Sequence, residues 1–298
     1  MELRNLGKTG LTVSVLGFGG WEIGSSAVSD AVAYTLLNAA LDSGVTLVDT
    51  AAAYFRSEEL IGRSISSRRN DFVLISKCGK LDGFTREDWS KKGIVETVER
   101  SLRLLRTDHL DVAQLHSCSA EILRQADCIE GLIRAQERGL CRFVGYSGDN
   151  EEAAYALGLD FFDTIQISVS IADQSAIAGN IKRARELGIG VIAKRPAANV
   201  VWRFDEKPGE EHIHEYLRRL AKLNYPFLKG TLEESVSIAL GFTISVEGVA
   251  SAIVGTTSEK NLRANVKNIP GRILSESEFE SIRNRWREVA GDDWTGKT

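Results

Sequence analysis

Short apolar runs, many of them β-branched, alternate with longer stretches of helical periodicity along most of this chain. The runs fall at 13–16, 45–48, 72–75, 110–115, 143–146, 161–167, 190–193 and 249–254, eight candidate strands. Between them apolar residues recur three or four apart, as in Ile94, Val98, Leu102 and Leu105, or Ile122, Ala126, Ile129 and Ile133, and line one helix face. Alternation with no Pro- or Ser-rich break between halves predicts a parallel sheet whose crossovers are helices. At 298 residues the expectation is an α/β fold, a single (β/α)8 TIM barrel forming one domain over 1–298.

Local signals refine this. The opening from Leu3 to Ser14 reads as two extended stretches about Lys8-Thr9-Gly10, an N-terminal β-hairpin placed to plug a barrel mouth. Thr85 with Asp88, Thr231 with Glu234, Thr256 with Glu259 and Ser275 with Glu278 follow the Ser/Thr-x-x-acid pattern of a capped helix start. The interval 196–231 is the longest between a strand end and the next capped helix, and long βα loops on a barrel are where binding sits. Residues 80–91, 117–120 and 200–228 are the expected pocket walls, with Trp89 and Trp202 as candidate covers. His212 and His214, two apart, diverge on a helix and read as solvated.

Thirty-seven Lys and Arg against forty-one Asp and Glu give a net charge of −4 without long single-sign blocks, which argues against nucleic acid and polybasic membrane contacts. Cys78, Cys118, Cys128 and Cys141 lack regular close spacing, and the first residues lack an apolar leader, so free thiols in the cytoplasm are expected. No heptad is evident, and a monomer is the simplest assumption. Gly17-Phe18-Gly19-Gly20-Trp21-Glu22 invites a dinucleotide-fingerprint reading, but Glu22 takes the third glycine's place and no Rossmann half follows. His116 and Cys118 lack a second close pair, so no metal is expected.

The informative set is Asp49, Tyr54, Lys77 and His116, each at or just past the carboxyl end of successive predicted strands. Each alone has a bland explanation: a cap, a rim aromatic, a solvated cation, a satisfied histidine. Together they form a proton-transfer unit. A tyrosine titrates near 10, and a nearby ammonium is expected to lower that value by stabilising the phenolate. Lys77 supplies the ammonium, the Asp49 carboxylate holds it charged, and His116 orients a substrate oxygen. None of the four delivers hydride, so a nicotinamide cofactor is implied.

These residues resemble the aldo-keto reductase superfamily, from Arg4-Asn5-Leu6-Gly7-Lys8-Thr9-Gly10 through Asp49-Thr50-Ala51-Ala52-Ala53-Tyr54 and Ser57-Glu58-Glu59-Leu60-Ile61-Gly62 to Ile75-Ser76-Lys77 and Leu115-His116. The resemblance implies an NADP(H)-dependent oxidoreductase that reduces a small aldehyde or ketone, with NAD(H) as the other cofactor form. It places the backbone of Gly20 and Trp21 near the cofactor, with Asp49 beside it and Ser147 and Gln166 on the carboxamide. Gly148 stands where the family usually has Asn or Arg, and Asp149 and Asn150 are the candidate compensations. Lys194, Arg195 and Pro196 lie where many members carry an aromatic residue before Ser-Pro, and Arg195 is planar enough to stack there or to bind phosphate. Gly255, Thr257, Lys260, Asn261 and Asn265 fall in a segment resembling the adenosine-phosphate site, with Arg263 as a further 2′-phosphate candidate. A second reading, from the resemblance to potassium-channel beta subunits, is a cofactor-bound regulatory protein.

Overall fold

The structure is a computed structural model and describes residues 1–204, 211–269 and 273–297. Its centre is a closed barrel of eight parallel strands in the order β10-β11-β12-β3-β4-β5-β8-β9, with β9 pairing back to β10. They span Leu16–Gly19 (β3), Leu47–Asp49 (β4), Val73–Cys78 (β5), Leu110–His116 (β8), Cys141–Ser147 (β9), Thr164–Ser168 (β10), Gly190–Lys194 (β11) and Val249–Val254 (β12). The expected (β/α)8 TIM barrel is the observed fold. Strands β4, β5, β8 and β10 are buried at every residue, because a parallel sheet covered by helices on one face and by its own interior on the other has no solvent face.

Helices close the outside. Ile94, Val98, Leu102 and Leu105 form the buried stripe of α3 (Lys91–Leu105). The stripe expected through 122–133 does not form: Ala126, with φ +66°, separates α4 (Ala120–Gln125) from α5 (Asp127–Glu137), and α5 buries Cys128, Gly131, Leu132 and Ala135 while Ile133 is exposed. The remaining helices are α1 (Asp30–Asp42), α2 (Ser57–Ile65), α6 (Asn150–Leu157), α7 (Lys182–Glu186), α8 (Glu211–Leu223), α9 (Leu232–Ser245), α10 (Glu259–Asn268) and α11 (Glu276–Val289). Both Thr231/Glu234 and Ser275/Glu278 are complete capping boxes, opening α9 and α11. The other two expected boxes are displaced. Thr85 turns its hydroxyl back to the Asp82 carbonyl, and Ser90 caps α3; Ser258 rather than Thr256 caps α10. Nearby serines offer equivalent oxygens, and only the chain's entry direction selects one.

The hairpin forms as expected, with β1 (Leu3–Asn5) antiparallel to β2 (Thr12–Ser14). Its apolar residues Leu6, Leu11 and Val13 pack against Leu47, Val73, Ile75, Val112, Ile192 and Ala250, and so close the N-terminal end of the barrel. The expected run 13–16 therefore splits between hairpin and barrel, a division invisible in an unbroken apolar run. The run 161–167 pairs only from Thr164, because Phe162 is packed in the preceding turn and the Asp163 carboxylate accepts from the Val144 amide at 3.0 Å. Of the long interval 196–231, residues 205–210 lie outside the described residues; 198–203 and 226–229 are 3-10 turns around α8. Residues 80–91 hold a second small hairpin, β6 (Lys80–Leu81) with β7 (Arg86–Glu87). The four cysteines are buried free thiols.

Gly7 is where the plug meets the barrel. Its φ is +57°, the Lys8 amide donates to the Gly188 carbonyl at 2.7 Å, and a Cβ on Gly7 would stand 2.3 Å from the Gly190 nitrogen. Gly7→Ala is expected to lower unfolding free energy by roughly 2–4 kcal/mol, from left-handed strain plus overpacking, read as a lower urea midpoint. An unchanged midpoint would show that the plug is not integral to the barrel.

Candidate active site

With the N-terminal end plugged, the open mouth is the carboxyl end of the strands. Register brings the expected residues there. Asp49 ends β4, Lys77 lies one residue before the end of β5, His116 ends β8, and Tyr54 follows five residues after Asp49 in the turn leading to α2. Strand pairing sets Asp49 opposite Ile75 and His116 opposite Ser147. Gln166 pairs with Ser147 from β10.

At the centre is an ion pair sealed from water. Lys77 Nζ donates to Asp49 Oδ1 at 2.8 Å and Oδ2 at 2.6 Å and to the Thr50 carbonyl at 3.0 Å, with both side chains 1% exposed. Burial alone would discharge the ammonium, but the Asp49 carboxylate, with the Tyr54 oxygen beside it, outweighs it and holds the Lys77 pKa above its ordinary value. Burial pushes the Asp49 carboxyl upward against the pull of Lys77 and of the Gln166 amide, which donates to Oδ1 at 2.8 Å. Gln166 in turn accepts from the Ser147 hydroxyl at 3.0 Å. The chain Ser147, Gln166, Asp49, Lys77 is thus one connected polar network across the barrel.

Tyr54 stands above this network, its hydroxyl 3.5 Å from Lys77 Nζ and its ring 4.9 Å from that nitrogen. Lys77 pulls the Tyr54 pKa down, as expected, but does not set the net direction. Burial comes first and pushes the phenol upward, and the nearby Asp49 adds to it, so the net shift is up despite the ammonium. Tyr54 is a protonated acid at neutral pH. His116 is buried beside it, ring centroids 5.5 Å apart, and burial followed by Lys77, Lys194, Lys80 and Arg195 drives its pKa well below the ordinary value. It is a neutral imidazole whose Nδ1 has no partner among the described residues.

Two rings that the sequence reading did not single out frame the mouth, Phe84 within the expected pocket wall 80–91 and Phe55 outside it. Phe84, from the β6–β7 hairpin, lies 5.2 Å from His116 and 5.7 Å from Trp21; Phe55 lies 5.9 Å from Trp21, and Trp21 lies 5.1 Å from Tyr54. Both phenylalanines are exposed and left-handed, with φ +67° and +46°. No motif marks them; loop conformation alone brings them in. Of the two candidate covers, the Trp89 ring packs over Gly79, just past the end of β5, and Trp202 donates to the Ser235 hydroxyl at 3.1 Å.

The remaining expected residues divide. Gly20 donates its amide to the Asp49 carbonyl at 2.8 Å, with Trp21 next to it at the mouth. Lys194 pairs with Asp149 at 3.0 Å, and burial lowers its pKa; Arg195 follows in a left-handed conformation, φ +56°. Asp149 also accepts from the Ser168 amide and hydroxyl, and Asn150 bonds Gly296. Both candidate compensations for Gly148 are therefore engaged elsewhere. Pro196 is buried, its carbonyl taken by Thr243. His212 is half-buried rather than solvated, its pKa lowered to about 4 by burial and then by Arg195 and Lys194. Gly255 adjoins Gly19 across the β12–β3 seam, with the Glu22 carboxylate against it. Thr257, Lys260 and Asn261 are exposed at the start of α10, Arg263 is paired with Glu259, and Asn265 lines a small cleft with Ser237 and Leu240 of α9.

A closed parallel barrel with a buried acid, an ammonium, a phenol and a neutral imidazole at its carboxyl mouth defines a barrel enzyme equipped for proton transfer. The model of the Aldo/keto reductase family matches residues 15–287, and the chain belongs to that family and is an oxidoreductase. It is 28% identical over 307 residues to the uncharacterized oxidoreductase YqkF of Bacillus subtilis, covering 97% of both chains. It is 26% identical to the L-galactose dehydrogenase of Arabidopsis thaliana, over 89% of this chain and 87% of that protein. Among solved structures, the holo form of aldo-keto reductase AKR11C1 from Bacillus halodurans superposes with a TM-score of 0.84 at 25% identity, covering 98% of this chain and 99% of that one.

The ion pair yields a stability prediction. Lys77→Met leaves a buried carboxylate alone and should cost about 3–5 kcal/mol at neutral pH. In that variant the lone Asp49, harder to ionise when folded than unfolded, takes up a proton on acidification, so unfolding free energy should recover as pH falls from 8 to 5. The double variant Asp49→Asn/Lys77→Met should regain most of the loss. Equal stability of the single and double variants across pH would contradict the charge-pair account.

Proposed function

We propose that this protein, acting as one domain in the cytoplasm and as a monomer, reduces an aldehyde or ketone to an alcohol with a nicotinamide dinucleotide. The observation that carries the reading is the protonated Tyr54 hydroxyl between a fixed ammonium and a neutral, buried imidazole with an unpartnered nitrogen. That donor set suits a carbonyl oxygen, which accepts from Tyr54 and from the His116 N–H.

The residues fit the cofactor at its reactive end. Ser147 and Gln166 present a hydroxyl and an amide next to Asp49, matching in hydrogen-bonding type the carboxamide they are proposed to hold. Gly20, Trp21, Lys194 and Arg195 border the same mouth. When bound, a reduced nicotinamide supplies the hydride that no side chain here can provide. As negative charge grows on the carbonyl oxygen, the Tyr54 proton moves to it, while the Lys77 ammonium, held charged by Asp49, stabilises the phenolate left behind. His116 orients the oxygen without competing for the proton, because its imidazole is neutral.

NADP(H) is the proposed form, supported by Lys260 with Thr257 and Asn261 at the α10 start, where a helix N-terminus favours an anion. The Glu22 carboxylate at Gly255 acts in the opposite sense, which makes NAD(H) the comparison arm of a binding titration. The L-galactose dehydrogenase relative directs the substrate panel toward sugars as well as small aldehydes.

Tyr54→Phe should lower carbonyl reduction by about 10²–10⁴-fold with cofactor affinity nearly unchanged, measured by cofactor oxidation and by titration. Wild-type turnover in that variant would remove Tyr54 from the acid role. Tight cofactor retention with no turnover on any carbonyl would support the regulatory reading instead. The pH profile is a separate check. Reduction needs the protonated phenol, whose pKa is raised above 10, and the charged Lys77, raised above 10.5. With His116 neutral well below 6.5, kcat/KM for reduction should stay level from about pH 7 to pH 9 and fall only at higher pH. A bell centred near pH 7 would contradict these assignments.

A further inference from the structure

Residues after α11 run back across the mouth. Trp294 is 3% exposed, stacked edgewise on Trp286 with ring centroids 5.0 Å apart and with the Arg219 guanidinium 5.4 Å from its ring. Beyond this anchor the attachment becomes wholly polar. The Thr295 carbonyl accepts from Arg219 at 2.7 Å. Gly296 and Asn150 bond reciprocally, the amide to Oδ1 at 2.7 Å and Nδ2 to the carbonyl at 2.9 Å. The Lys297 amide donates to Asp173 at 3.2 Å. Its carbonyl accepts from the Arg195 guanidinium and lies 2.8 Å from the Ser168 hydroxyl, whose single proton is shared with the Asp149 carboxylate at 3.0 Å. The fit is close: a Cβ on Gly296 would stand 2.8 Å from the Asp149 Cβ and 3.1 Å from Asn150 Oδ1.

Two features make that last contact more than a tether. Ser168 is two residues beyond Gln166 on the same strand, hence on the same face and one layer nearer the opening. Arg195 follows the last residue of β11 in a left-handed conformation, a strained state for a residue with a side chain, and such strain concentrates at functional sites. Together the guanidinium and a buried hydroxyl that can turn its proton from Asp149 converge on a single oxygen. That donor pair suits an anionic oxygen of a carboxylate or phosphate better than a neutral peptide carbonyl, because a hydrogen bond with both partners charged is the stronger one.

We propose that Arg195 and Ser168 form an oxyanion subsite at the mouth, which the chain's own tail fills with the Lys297 carbonyl, so that residues 295–297 act as a strap that an anionic ligand displaces. The naming of that ligand as the dinucleotide rests on the proposed function; the subsite does not. The strap is held by hydrogen bonds that water can replace, while Trp294 keeps it close for return. Release therefore costs little, and the strap lowers apparent ligand affinity by competing for Arg195.

Hydrogen exchange of the peptide covering 291–297 tests this in the full chain, free and with saturating NADPH, NADH or millimolar inorganic pyrophosphate. Gly296→Val, which cannot lie against Asp149 and Asn150, serves as the released form. Exchange of this peptide should rise at least tenfold when NADPH is added to the wild type. Gly296→Val should show the fast exchange without ligand and bind NADPH about tenfold more tightly by fluorescence titration. Release by pyrophosphate but by neither dinucleotide would uphold the subsite and remove the cofactor reading. No rise in exchange with any of the three ligands, or release by NADPH with equal NADPH affinity in Gly296→Val and wild type, would overturn the proposal.

Discussion

The buried pair of Lys77 and Asp49 is the contact around which the mouth is arranged. Neither charge would survive in the barrel interior alone, and each is held ionised by the other. Their common requirement fixes the neighbourhood. The Thr50 carbonyl and the Gln166 amide complete the hydrogen bonds of the pair, Ser147 locks Gln166, and the ammonium sets the electrostatic surroundings of Tyr54 and His116. A site built this way is stiff, since moving any member exposes a buried charge or leaves a donor unmatched.

Barrel closure makes that pairing reachable. Asp49 and Lys77 lie on adjacent strands with β4 pairing in register to β5, while Gln166 arrives from the far side of the circle, 117 residues away from Asp49 in sequence. The hairpin contributes by occupation: with Leu6, Leu11 and Val13 filling the N-terminal end, access is left to the carboxyl end where these groups converge.

Charge at the rim follows a different logic from charge in the centre. The centre balances one cation against one anion in direct contact. At the rim, Lys194 is matched by Asp149, whereas Arg195 is met by a backbone carbonyl and a hydroxyl. Burial first, and then Lys77, Lys194, Lys80 and Arg195, hold His116 neutral. Basic residues placed around an imidazole make the mouth receptive to an anion while keeping the histidine a hydrogen-bonding group rather than an acid.

Much of this was legible in the residues. Short continuous apolar runs mark strands buried on both faces and period-3.6 patterning marks the core face of helices, so the barrel and its crossover helices could be read directly, and the spacing of Asp49, Tyr54, Lys77 and His116 placed them at strand ends. What depended on competition between forces could not be read. The direction of the Tyr54 shift needed the relative weight of desolvation and ammonium, which is set by burial in three dimensions. The choice of Ser90 over Thr85, the splitting of 13–16 between two sheets, and the approach of Phe55 and Phe84 needed the path of the chain. The engagement of Asn150, Ser168 and Arg195 by the tail joins residues more than a hundred positions apart and leaves no periodic trace. Sequence determined which surfaces are buried, because hydrophobicity is local; tertiary structure decided which polar groups meet, because charge and hydrogen-bond partners are assigned only when distant segments pack.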